Sequence, residues 1–142
     1  MDTNVLYQAL RSNSGASYFI LGLIRNRKVR LALSIPVFNE YHDVLSRKST
    51  LKDIQLKHAD VEKVLVFISH IAVPYNISFL FRPNLRDEED NKFVELGLVS
   101  NAQALITNNT KDFHQSKDLN FDDLNIVTPA EFITKWRKEN EE

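Results

Sequence analysis

Arg86-Asp87-Glu88-Glu89-Asp90-Asn91-Lys92-Phe93 leads into an apolar segment, and Ala104-Leu105-Ile106-Thr107-Asn108-Asn109-Thr110-Lys111-Asp112-Phe113 follows it. The first part reads as the start of an acid-led helix spanning residues 88–100, because carboxylates suit the positive end of a helix dipole. Phe93, Leu96 and Gly97 fall on its inward face. The second part reads as a buried strand, 104–107, that opens into a polar loop ending Lys111-Asp112-Phe113. Strand after helix predicts a parallel sheet, and ligands of open α/β sheets sit beyond the carboxyl ends of the strands. Asp90 and Asp112 are thereby delivered to that edge.

Upstream, residues 4–10 read as a helix with Val5, Leu6 and Leu10 inward. Ser12-Asn13-Ser14-Gly15 is a turn. Phe19, Ile20, Leu23 and Ile24 then recur at helical spacing. Residues 29–33 alternate as a strand. Ser34 and Pro36 open the next helix as N-cap and first-turn proline. Val37, Phe38, Tyr41, Val44 and Leu45 form its apolar face, and Glu40 borders that face. Residues 47–57 read as a loop. Val61, Val64, Leu65 and Ile68 mark another helix, and residues 77–81 an apolar strand. Downstream, residues 124–127 form a strand. Thr128-Pro129-Ala130-Glu131 is a capping box that starts a closing helix through Trp136.

This alternation predicts an α/β fold: a three-layer α/β/α sandwich with a mainly parallel central sheet, in one domain over residues 1–142. The composition agrees, since 43% apolar residues suffice for one sizeable core. A net charge of −1 gives no global attraction to nucleic acid, so such a partner needs a local patch. Without cysteine there is no disulfide framework, zinc–thiolate site or thiol nucleophile. No apolar run reaches membrane-span length, and no signal-peptide pattern opens the chain, so a cytoplasmic protein is expected. None of the three glycines belongs to a dinucleotide or P-loop motif.

Taken singly, each acid has an ordinary reading. Asp90 can cap its helix, Asp2 can be a solvated terminal residue, Glu40 an exposed helix acid, and Asp112 an Asx turn. Taken together, Asp2, Glu40, Asp90 and Asp112 would repel one another at the sheet edge. A hard divalent cation with oxygen ligands, Mg²⁺ or Mn²⁺, offsets such repulsion.

The ordered set Asp2-Thr3-Asn4-Val5-Leu6, Glu40, Asp90-x-x-Phe93 and Thr107-x-Asn109-x-Lys111-Asp112-Phe113 resembles the PIN domain, and its toxin-like (VapC-type) members most. The resemblance covers nearly the whole chain. It implies a metal-dependent endoribonuclease, with Asp2, Glu40 and Asp90 matching three metal-site acids of the family. The family places its fourth acid two residues after the threonine, where this chain has Asn109. The fourth role therefore passes to Asp112, and Asn109 becomes a neutral ligand or hydrogen-bond donor. Thr107 orients a carboxylate or water, and Asn4 and Lys92 are assigned to substrate or its orientation. The resemblance also implies an RNA substrate, an antitoxin partner and a homodimer.

The family's central first strand precedes the first aspartate, and here only Met1 does. The expected sheet thus has a truncated first strand, lying between residues 29–33 and 104–107. The alternative reading is a catalytically degenerate PIN-like module that binds RNA or a partner without cutting, which Asn109 and the truncated strand favour. A signalling domain with a phosphoacceptor pocket expects paired acids after one strand, whereas these acids are scattered.

Overall fold

The computed structural model describes residues 1–77, 91–114 and 124–140. In chain order these form α1 (Thr3–Arg11), α2 (Ala16–Arg25), β1 (Ala32–Leu33), α3 (Ile35–Leu45), α4 (Lys48–Ile54), α5 (His58–Ile71) and β2 (Val73–Pro74). After the undescribed residues 78–90 come α6 (Asn91–Val99), β3 (Ala104–Ile106) and α7 (Thr110–His114). β4 (Asn125–Val127) and α8 (Pro129–Asn140) complete the described chain.

The helices start where the local chemistry directs. Ser34 caps α3, accepting from the Val37 amide at 3.4 Å. The box before α8 is closed both ways, with Thr128 N donating to Glu131 Oε1 at 3.0 Å and Glu131 N to Thr128 Oγ1 at 3.1 Å. The apolar faces of α1, α3 and α5 meet in a dense core. Val5, Leu6, Val37, Tyr41, Leu45, Val61, Leu65 and Ile68 are all fully buried there. On α6, Gly97 admits a close approach, since a Cβ at this position would lie 3.0 Å from Leu124 Cδ1.

Every strand pairing among the described residues is parallel, as an α/β fold requires. Ala32 lies opposite Val73, and Leu33 opposite Pro74. Ala104, Leu105 and Ile106 lie opposite Asn125, Ile126 and Val127. These pairs form two separate two-stranded sheets rather than one continuous sheet. Residues of both sheets, among them Leu31, Ala32, Ala104 and Ile106, line a cavity of about 950 Å³. Met1 reaches into it. Among the described residues, the position expected for a first strand is therefore unfilled.

Several local expectations change. Residues 48–54, expected in a loop, form α4, which buries Thr50 and Ile54 one turn apart. That apolar face is too short to stand out from its polar neighbours. The polar loop after β3 winds into α7 and buries Phe113. The strand expected over residues 29–33 is paired only at Ala32–Leu33. Its partner is Val73–Pro74, which has no strand pattern of its own. The strand expected over residues 77–81 lies almost wholly outside the described residues, as do residues 88–90 of the acid-led helix. Phe19, expected inward, is 38% exposed. It meets Trp136 edge-on at 6.2 Å and lies 5.0 Å beneath the Arg137 guanidinium, so it docks α8 instead of filling the core.

Candidate active site

Asp2 is placed by the backbone. Its amide donates to Ile106 O at 2.8 Å, which fixes it beside the carboxyl end of β3. One residue further along that strand, Thr107 is fully buried. Its hydroxyl donates to Asp2 Oδ2 at 2.6 Å and accepts from the Asn109 amide at 3.0 Å. Asn4, one helical step from Asp2, donates to the same Oδ2 at 3.2 Å. Neither side-chain bond uses Oδ1. Asn4 Oδ1 in turn accepts from the Asn108 amide at 3.3 Å, tying α1 to the loop after β3.

Glu40 arrives from the other sheet. β1 leads through Ser34 into α3, and the second turn of α3 presents Glu40 toward Asp2. Thr3 Oγ1 donates to Glu40 Oε2. Lys92 Nζ, from α6, donates to Glu40 Oε1 at 3.1 Å. This ion pair is largely withdrawn from solvent, with side chains 20% and 17% exposed. Next to Glu40, the Tyr41 hydroxyl donates to Met1 O at 2.5 Å and pins the chain entrance against α3.

The electrostatics follow from burial. Asp2 is only 6% exposed. Desolvation pushes its carboxyl above the usual aspartate range, and the nearby Glu40 charge adds to the rise. The Thr107 bond and the Met1 amine oppose it. Burial likewise holds the Met1 α-amino group down at about 6. The Tyr41 hydroxyl is pushed up by burial and by both acids.

The structure thus brings together Asp2, Glu40, Thr107, Asn109, Asn4 and Lys92. Asp90 lies outside the described residues. Asp112 sits in the first turn of α7. Among the described residues no three acids or histidines come close enough to share a metal ion, so Asp112 is not gathered with Asp2 and Glu40. The two carboxylates that are gathered fit a hard cation in kind, being oxygen donors. Asn91, beside Lys92, carries a buried Oδ1 with no hydrogen-bond partner. Thr3 and Tyr41 were not singled out from the sequence. Thr3 is signalled only by adjacency to Asp2, and Tyr41 reads as one more apolar residue of α3.

The PIN domain family model matches residues 1–111. Over 145 aligned residues the chain is 31% identical to the uncharacterized protein MJ1680 of Methanocaldococcus jannaschii, covering 97% of this chain and 90% of that protein. No solved structure matches the chain.

Proposed function

We propose a function from one premise: this chain belongs to the PIN domain family. Members of that family are generally nucleases. The proposed activity is metal-dependent hydrolysis of RNA phosphodiester bonds. The observation that carries it is the meeting of Asp2 and Glu40 beyond the carboxyl ends of β3 and β1, close enough for one charge to raise the other's pKa. Two acids so placed are costly to the fold unless a cation answers them.

In this reading Asp2 and Glu40 hold Mg²⁺ or Mn²⁺, with Asp90 completing the set and Asp112 drawn in from α7. When bound, the metal supplies positive charge at the scissile phosphate and makes an attacking water more acidic. Thr107 holds the Asp2 carboxyl in one orientation, and Asn109 holds Thr107. Lys92 neutralises phosphate charge. A toxin role, with an antitoxin partner and a homodimer, is part of the same proposal and rests on the family resemblance alone. A binding module without cleavage is the second reading. It is favoured by Asn109 at the usual position of the fourth acid.

The test is cleavage of a fluorogenic single-stranded RNA in Mn²⁺ and in EDTA. The expected result is Mn²⁺-dependent cleavage, lowered ~100-fold in Glu40→Gln and Asp2→Asn. RNA binding by the folded parent without cleavage in either Mn²⁺ or Mg²⁺ would select the binding module.

A further inference from the structure

Glu40 is answered on both oxygens, by Thr3 on one and by the Lys92 ammonium on the other. The two donors differ in what they can do when a stronger cation arrives. A hydroxyl stays compatible with a metal ligand, because it can donate to an oxygen that also coordinates. An ammonium 3.1 Å from the same carboxylate competes with a divalent ion for the same electrons and repels it. The Lys92 side chain is long and flexible, and its head group is strongly hydrated, so it can withdraw to solvent without moving the helix.

We propose that Lys92 is the built-in counter-ion of the acidic site, and that a divalent cation must displace its ammonium from Glu40 in order to bind. This rests on the reading that the site binds a divalent metal, and it adds a residue that sets the affinity. In the metal-free protein Lys92 offsets the repulsion between Asp2 and Glu40 and so supports the fold. When metal binds, the ammonium leaves Glu40 but remains tethered beside the site by α6. Metal affinity and metal-free stability are thereby set against each other through one side chain. A residue with a merely structural role would move both in the same direction.

The experiment compares the parent with Lys92→Met, Lys92→Gln and Lys92→Arg, titrating each metal-free protein with Mn²⁺ by calorimetry and melting each in EDTA. Lys92→Met and Lys92→Gln should bind Mn²⁺ about tenfold more tightly, which corresponds to ~1.4 kcal/mol. Both should melt at a lower temperature than the parent in EDTA. Lys92→Arg keeps the charge and should stay near the parent in Mn²⁺ affinity. Unchanged or weaker Mn²⁺ binding in both neutral variants, with the parent binding normally, overturns the counter-ion role alone. A parent that binds no Mn²⁺ overturns the metal-site reading and this proposal with it. The two failures are thus told apart by the parent's own titration.

Discussion

The helical half of this molecule and its sheet half differ in how complete they are among the described residues. α1, α3 and α5 bring fully buried side chains together, and each helix satisfies its backbone internally. β1 and β3 are two and three residues long and face a cavity of about 950 Å³. In a parallel ladder, alternate residues of a strand turn their N–H and C=O groups to opposite sides. Leu31 and Leu33 turn theirs to β2, since they accept from the Val73 and Tyr75 amides at 2.8 Å each. The intervening Ala32 therefore turns its groups toward the cavity. A helix needs neighbours for its side chains only, whereas a strand needs them for its backbone as well. Among the described residues the helical half is thus closed, whereas the sheet half has strand edges beside a cavity.

Truncating a core side chain on each side should expose the contrast most strongly. Leu65→Ala in α5 should cost about 2–5 kcal/mol, because it opens a void in a close-packed region. Leu105→Ala in β3, where the side chain is also buried at 3% exposure, should cost clearly less, because a three-residue strand beside the cavity can relax into the vacated space. Equal costs in urea unfolding would mean that both halves are equally packed.

A second change should erase the contrast rather than measure it. Five apolar residues joined to the Met1 nitrogen can extend between β1 and β3 in the direction set by the Asp2–Ile106 bond. Two or so backbone groups that gain partners, at about 1–3 kcal/mol each, should raise stability by about 2–6 kcal/mol. The same extension should anchor Asp2 and tighten Mn²⁺ binding. Unchanged melting temperature and Mn²⁺ affinity would show that the sheets are satisfied as they stand.

The Met1 amine reports on the same cavity through pH. Its pKa is about 6 in the fold against 8.0 as the reference value. Between these values the unfolded chain holds a proton that the folded chain does not, so stability rises with pH across this window. Two pKa units correspond to ~2.7 kcal/mol. Urea midpoints at pH 6, 7 and 8 should therefore climb for the chain with a free Met1 amine, relative to an N-acetylated or extended chain in which this group cannot titrate. Asp2 acts in a different window. Its raised pKa makes ionisation destabilising, and that penalty enters as pH rises through the reference value of 3.8. Parallel pH curves for the acetylated and free chains would mean that the amine is solvated.

The smallest effect should fall at a purely local device. Thr128→Ala removes half of the capping box of α8 and should cost ~1 kcal/mol. The cost should be the same with or without the extension, because the cap does not touch the gap. A cost that changes with the extension would link α8 to the central position.

What could be read in the sequence divides along the same line. Ser34 with Pro36, the Thr128–Glu131 box and the 3.6-residue spacing around Val61 and Leu65 are local signals, and helices follow from local signals. Asp2, Glu40, Asp90 and Asp112 read as one set; the fold brings Asp2 and Glu40 together beside Thr107 and leaves Asp112 apart in α7, and Asp90 lies outside the described residues. β2 was not legible, because Val73–Pro74 is a strand only by virtue of its partner. α4 was not, because Thr50 and Ile54 offer a single turn of pattern. The Glu40–Lys92 pairing spans 52 positions, and nothing in either local sequence marks the other as its partner.

In the proposed site Asp2 and Glu40 are the pair that holds the metal. Crystals of the parent soaked in Mn²⁺, with anomalous scattering collected for the metal, test it most directly. The expected result is an anomalous peak in contact with both Asp2 and Glu40, with Lys92 Nζ moved off Glu40. A peak that touches neither acid, or none at saturating Mn²⁺ with Lys92 still paired to Glu40, would contradict it.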